Sequence, residues 1–217
     1  MNDGAEIRKG LRHLLSFSMV YDSFQHVVGA YKWRERVVSN HIAPLCSDST
    51  RILDIGCGTG EILEYIPQRA SYVGFDRNDE YISTASKRFS NRNARFICED
   101  VNKNTMSKHG CFDIVLAIGI LHHLDDNVAD ELFETAHYAL KNNGVFLALD
   151  PVYTKNQSSA AKFVVSKDRG QAVRTDEEYL RLAKKRFNST SAVIDDKPLR
   201  IPYTGIVMTC RKADSPL

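Results

Sequence analysis

The chain has 217 residues, 43% hydrophobic and 26% charged, with a formal net charge of +2. That length holds one domain with a sizeable core and a small appendage, in a composition ordinary for a globular protein. No dense basic run calls for nucleic acid or an anionic membrane, no apolar stretch approaches the ~20 residues that span a bilayer, and "MNDGAEIRKGLRHLL" lacks a secretory signal pattern.

In chain order, the first ~45 residues look helical and precede the first strand, so residues 1–48 are expected to form a helical cap on a domain spanning 49–217. β-like runs come next at Arg51–Ile55, Tyr72–Asp76, Arg95–Cys98, Asp113–Ile118 and Val145–Asp150. Between them, helical patterns cover Gly60–Ile66 (stopped by Pro67), Asn78–Phe89 and Asn127–Lys141, the last ended by Asn142-Asn143-Gly144. Asn78 is a natural N-cap, with acids in the first turn behind it and Lys87-Arg88 in the last. Alternation of this kind predicts a parallel sheet covered on both faces. Residues 151–174 form one long insertion after a strand end, where lids and binding loops are usually found. "TDEEYLRLAKKRF" then opens with a capping box, Thr175 and Glu178. Two final runs, Ser189–Ile194 and Thr204–Cys210, have no helix between them, so one strand is expected to run antiparallel to the rest. Five cysteines (Cys46, Cys57, Cys98, Cys111, Cys210) lack framework spacing, which suggests reduced thiols in a cytoplasmic protein.

The segment "LDIGCGTG", residues 53–60, joins the first strand to the first helical pattern of the domain. Its glycines, Gly56, Gly58 and Gly60, let a ligand approach the backbone without a Cβ clash. A dinucleotide loop would read GxGxxG with a pyrophosphate on the helix start. Here Glu61 stands where the third glycine of that motif belongs and Asp54 lies below, with no Lys or Arg expected to offset them. A nucleotide-triphosphate loop would end in Gly-Lys-Ser/Thr, which is absent. The loop therefore favours a ligand carrying an ammonium or sulfonium over a diphosphate.

The pattern DxGxGxG resembles motif I of the class I S-adenosylmethionine-dependent methyltransferases, whose cofactor has an amino group, a sulfonium and no phosphate. The resemblance continues through "YVGFD", "CEDV", "FDIVLAIGILHHL" and "LKNNGVFLALD", and covers residues ~50 to 210. It implies an α/β Rossmann-like fold, with a mostly parallel seven-stranded sheet, one antiparallel strand and helices on both faces. It also implies cofactor contacts from Asp54, Gly56, Cys57, Gly58 and Gly60. Asp76, with Arg77 beside it, would accept the ribose hydroxyls, and Asp100, with Val101, would reach the adenine amino group. The backbone at Ile118 and Gly119 would pass the methionine part.

Methyl transfer from a sulfonium needs nucleophile, methyl carbon and sulfur in line, and a hydroxyl or ammonium acceptor also needs a base. "GILHHL" supplies two histidines, and histidine titrates near the working pH. His122 resembles the histidine of an Ile-Leu-His segment in phosphoethanolamine-type methyltransferases, which pairs with a tyrosine of the N-terminal helix. Tyr21 is the counterpart here, with Tyr31 as the second choice, and His123 is the other base candidate. Each histidine taken alone serves equally well as packing or as a cap at Asp125-Asp126. The cluster His122, His123, Asp125 and Asp126 also has metal-ligand chemistry, but acids and histidines at a helix start are more often caps, so no metal is expected.

Within the insertion, "SKDRGQAVR" brings Lys167, Arg169 and Arg174 close together, with Asp168 and Gln171 among them. As a group they predict an acidic acceptor held by Arg169 and Arg174, with Asp150 at the pocket rim. The expected partner is a small molecule, of the kind seen in bacterial stand-alone methyltransferases of saccharide or secondary-metabolite assembly, with neither nucleic acid nor membrane insertion involved. An RNA or protein methyltransferase, and a non-catalytic cofactor-binding subunit, are the alternative function classes. Oligomeric state is left open.

Overall fold

The computed structural model describes residues 29–168 and 170–214. Helix α1 (Ala30–Val37) runs on through a π-helical turn at Val38–Ile42 and a 3-10 turn at Ala43–Leu45. Strands and helices then alternate: β1 (Arg51–Ile55), β2 (Ser71–Asp76), α2 (Asp79–Arg88), β3 (Ala94–Cys98), α3 (Lys103–Met106) and β4 (Phe112–Ile118). α4 (Asp126–Ala139), β5 (Leu140–Pro151), α5 (Ser159–Val165), α6 (Asp176–Lys184), β6 (Ser189–Asp195) and β7 (Gly205–Arg211) complete the chain. The seven strands form one sheet in the order β3-β2-β1-β4-β5-β7-β6. β7 pairs antiparallel with both β5 and β6 and is the single reversed strand.

Side chains alternate across the sheet and build a core on each face. Leu53, Val115, Ala117, Phe146 and Ala148 point to the α4 and α6 side, with Phe133 and Phe187. Ile52, Ile114, Leu116, Leu147 and Leu149 point to the other, against Trp33, Val37, Ile42 and Leu63. β4 and β5 are covered on both faces and so read as continuous apolar runs, whereas the peripheral strands β3 and β6 carry only half-buried and exposed positions.

Local chemistry sets most boundaries. The Asn78 side chain accepts from the Glu80 and Tyr81 amides, Asp125 from Asn127 and Val128, and Thr175 with Glu178 forms the full capping box. Two expectations change, and the insertion proves to hold a helix of its own. Residues 60–66 make only a 3-10 turn, Glu61–Glu64. Gly60 sits left-handed (φ 76) on one side, Pro67 disfavours helix for the residue before it on the other, and the gap is too short to nucleate an α-helix. α4 stops at Ala139 because buried Leu140 turns extended to pair with Phe112, leaving Asn143 (φ 60) as the left-handed residue of the irregular stretch early in β5, where the pairing with β4 shifts register. The insertion contains a helix, α5, capped by Ser158. Its ends are tied together where the Tyr153 amide donates to the Arg174 carbonyl at 3.0 Å. Residues 1–28 of the expected cap lie outside the described residues, and among those described no helix is long and apolar enough to cross a membrane.

Candidate active site

β1 runs into the glycine turn, where Gly56, Gly58 and Gly60 have φ of 73°, 53° and 76°. The Gly56 and Cys57 amides donate to the Phe75 carbonyl, so pairing with β2 anchors the turn. A Cβ on Gly56 would meet Ile120 Cδ1 at 2.4 Å, while one on Gly58 would meet nothing within 4 Å, because Gly58 faces a cleft of about 140 Å³. Arg34, Asp54, Thr59, Tyr81 and Ile118 also line that cleft.

Asp54 is 1% exposed. Its Oδ2 accepts from Tyr72 Oη at 2.5 Å, while its Oδ1 is buried without a partner. Burial raises the carboxyl to about 7, opposed by the Tyr72 hydrogen bond and reinforced by the Asp76 charge. A buried orphan oxygen of this kind is costly unless a donor meets it, and an ammonium would supply both the hydrogen bond and the opposite charge. The site therefore fits the amino acid end of S-adenosylmethionine.

The expectation of no cation near the turn is corrected: Arg34, from α1, pairs with Glu61 at 2.8 Å. The two charges offset each other, which leaves Asp54 and Asp76 to set the sign of the loop. Asp76 accepts from the Gly58 amide and the Asn78 amide, each at 2.9 Å. A carboxylate has about four acceptor positions, so about two remain for hydroxyls. Arg77 and Asp100 pair with each other at the neighbouring strand ends, both largely exposed, and Val101, next in sequence, packs half-buried against the core. Cys57 is buried at the wall of the cleft, and burial with the charges of Asp54 and Asp76 holds its thiol far above the ordinary range, which keeps it protonated.

His122 lies in a 3-10 turn, Leu121–His123, just past β4. Its ring is near Gly119, where a Cβ would be 4.0 Å from His122 Cε1. Asp150 Oδ1 accepts from the His122 amide at 3.1 Å and lies 2.7 Å from Nδ1. On the other side of the ring, Nε2 is 3.1 Å from Asp168 Oδ1. Tyr203 Oη donates to Asp168 Oδ2 at 2.8 Å, and the Gly170 amide donates to Oδ1 at 3.3 Å. Burial alone would lower the imidazole, but the hydrogen bonds and charges of Asp150 and Asp168 outweigh it and raise His122 to about 9. Against its own burial, Asp168 is held well below the usual carboxylate range by His122, Tyr203 and Gly170.

These contacts correct several expectations. His122 lies between two carboxylates that favour its protonated form, so both ring nitrogens are engaged while Asp168 is in place. Asp150 is not a rim ligand; it is fully buried and orients His122. Arg174 does not face an acceptor either. It is 6% exposed and donates to the carbonyls of Leu121, Leu124 and Ala172 and to Asp126, bracing the turn that carries His122. Asp125 caps α4 and Asp126 pairs with Arg174, so neither turns toward the histidines. His123 is exposed, its ring tilted onto that of His122 with centroids 4.0 Å apart. Tyr21 and Arg169 lie outside the described residues. Sequence reasoning assigned no role to Asp168, Tyr203, Gly170 or Arg34. Asp168 was visible in the charged stretch, but nothing local connects it to a histidine on another loop.

Residues 52–144 match the family described as "Methyltransferase domain". A malonyl-[acyl-carrier protein] O-methyltransferase of Halalkalibacterium halodurans is 28% identical over 151 residues, 63% of this chain and 52% of that protein. A putative methyltransferase, YqeM of Bacillus subtilis, is 26% identical over 134 residues, 60% of this chain and 52% of that protein. The chain thus spans about half the length of these relatives. Among solved structures, the plantazolicin methyltransferase BpumL in complex with SAH superposes with a TM-score of 0.64 at 20% identity, over 93% of this chain and 90% of that one. The [4+2]-cyclase SpnF gives 0.66 at 17% identity, over 86% of this chain and 82% of that one, so the shared fold alone does not fix the reaction. With its glycine motif, its matched methyltransferase domain at residues 52–144 and the reversed strand β7 in the sheet, the chain has the fold of, and is similar to, the class I S-adenosylmethionine-dependent methyltransferases.

Proposed function

We propose that the chain moves a methyl group from S-adenosylmethionine to an oxygen or nitrogen of a small-molecule acceptor, a saccharide or secondary metabolite being the class first expected. The observation that carries this reading is the left-handed glycine turn over a buried, half-partnered Asp54. S-adenosylmethionine supplies an electrophilic methyl group on a sulfonium. Asp54 holds the ammonium end, Asp76 accepts the ribose hydroxyls, Asp100 meets the adenine amino group, and the Ile118–Gly119 backbone borders the methionine part. The relatives named for O-methylation favour an oxygen acceptor.

The remaining roles are orientation and exclusion of water. Residues 1–48 act as a cap, to which α1 contributes Arg34 at the cleft and Trp33 packed edge-on to Tyr203. Residues 151–174 act as a lid. With Asp168 withdrawn, the Asp150–His122 pair presents Nε2 to the acceptor and takes its proton when the acceptor is a hydroxyl. Tyr21 of the cap is the proposed second group at that point. Five unpaired cysteines, two of them exposed, support a reducing compartment such as the cytoplasm.

Calorimetric titration against S-adenosylmethionine and NAD tests the cofactor reading, and heat from NAD alone overturns it. Radiolabelled cofactor with fractionated lysate tests the acceptor class: label is expected in small polar metabolites. Label in RNA or protein selects the macromolecular alternative, and binding without label selects a partner subunit.

A further inference from the structure

The contacts of Asp168 describe a receptor for a carboxylate. Its two oxygens meet a protonated imidazole nitrogen, a phenol and a backbone amide. Two of the three donors, His122 and Tyr203, belong to the body of the domain and not to the insertion. Asp150 is dedicated to His122: its side chain is 0% exposed and it grips both the ring and the backbone amide. Asp168 is different, because it rides on the insertion and its side chain is 23% exposed. Gly170 lets the insertion close on the ring, since a Cβ there would lie 2.1 Å from His122 Cδ2. Lifting this stretch removes the carboxylate and leaves the donors of His122 and Tyr203 facing the same space, beside the Ile118–Gly119 border of the cleft.

We propose that the His122–Tyr203 pair is the seat of an acceptor carboxylate whose oxygen receives the methyl group, and that Asp168 is an internal stand-in which the acceptor displaces. The proposal rests on the methyl-transfer reading above and narrows its acceptor to a carboxylic acid. Charge decides among acceptors. With Asp150 fixed behind it, His122 keeps its pairing only if an anion replaces Asp168. An ammonium would face an imidazolium, and a neutral hydroxyl would leave that cation with one partner lost. The chemistry also balances without a base. A carboxylate oxygen forms the O–CH3 bond as the C–S bond breaks, the electron pair stays on sulfur, and a methyl ester and neutral thioether result with no proton released.

The test uses hexanoate, hexanol and hexylamine as matched probes, followed without cofactor by the ring 15N signals of His122 and by calorimetry. Asp168→Asn, or Asp168→Ser as a second way of removing the carboxylate, is expected to bind hexanoate at least tenfold more tightly than the natural chain. Hexanol binding should be unchanged, and adding Tyr203→Phe should weaken hexanoate severalfold. Hexanoate binding indifferent to Asp168, or hexanol bound equally well, overturns the proposal. Titration of the same proteins with SAH separates the two readings. Absent SAH binding fells the methyl-transfer reading itself, whereas SAH binding with no Asp168 effect fells only the carboxylate seat. Under turnover, a pH-indicator dye should record no proton per methyl transferred; one proton per turnover with a methyl ether product overturns the proposal.

Discussion

At the end of β1 the ligand surface is made by backbone: three left-handed glycines, a strand amide pair and one buried carboxylate, almost all within residues 53–60. At the ends of β4 and β5 the surface is made by side chains distant in sequence. Asp150 reaches His122 across 28 residues, Tyr203 reaches Asp168 across 35, and Arg174 reaches Asp126 across 48. The first region is a mostly local solution, set by glycine conformation and anchored on the neighbouring strand β2. The second exists only when several loops close together, and it is held by charges that have left water. The two halves should therefore fail differently.

Arg174→Met is the strongest way to break the acceptor half. It strands three carbonyls and a carboxylate at a site 6% exposed. A loss of about 3 kcal/mol, or a melting temperature lower by roughly 6–12 °C, is expected. Calorimetric melting checks this, and a shift below about 2 °C would mean that packing alone holds this half. Gly56→Val attacks the other half: it forces a branched residue to φ 73° with its Cβ against Ile120. SAH affinity should fall about 100-fold while the far-ultraviolet circular dichroism stays native, since the turn carries the ligand and not the core; unchanged affinity would refute the backbone account.

The acceptor half should also respond to pH. His122 rises from an ordinary 6.5 to about 9 on folding, so its contribution is complete below about pH 6.5 and disappears as pH rises through 9. Asp168 is depressed below 3.8, so its contribution is complete above that value and is lost as pH falls through its folded value. The pair therefore supports the fold most between about pH 4 and 6.5. Urea unfolding at pH 6 and pH 10 should differ by about 2 kcal/mol more in the natural chain than in His122→Asn. Equal differences would show that the ring is not held as a cation. The smallest effect belongs to Arg77→Ala. Its ion pair with Asp100 is 82% and 55% exposed, so melting should move by less than about 2 °C. A larger shift would show that this corner is more than a solvated rim.

By itself the sequence determined the alternation of strands and helices, the caps at Asn78 and Thr175, the reversed last strand and the glycine turn with Asp54 and Asp76. Periodicity, capping and glycine conformation act over a few residues and are legible there. Only the tertiary structure decided that Arg34 offsets Glu61, that Arg174 and Asp150 brace a turn instead of meeting an acceptor, and that Asp168 sits on His122. It also decided that residues 60–66 make one tight turn and that α4 yields Leu140 to the sheet. Each of these depends on which buried charge finds a partner, or which apolar side chain finds a neighbour, across loops that meet only after folding. Burial and the low polarity around paired ions set those outcomes, and neither quantity is a property of a short segment.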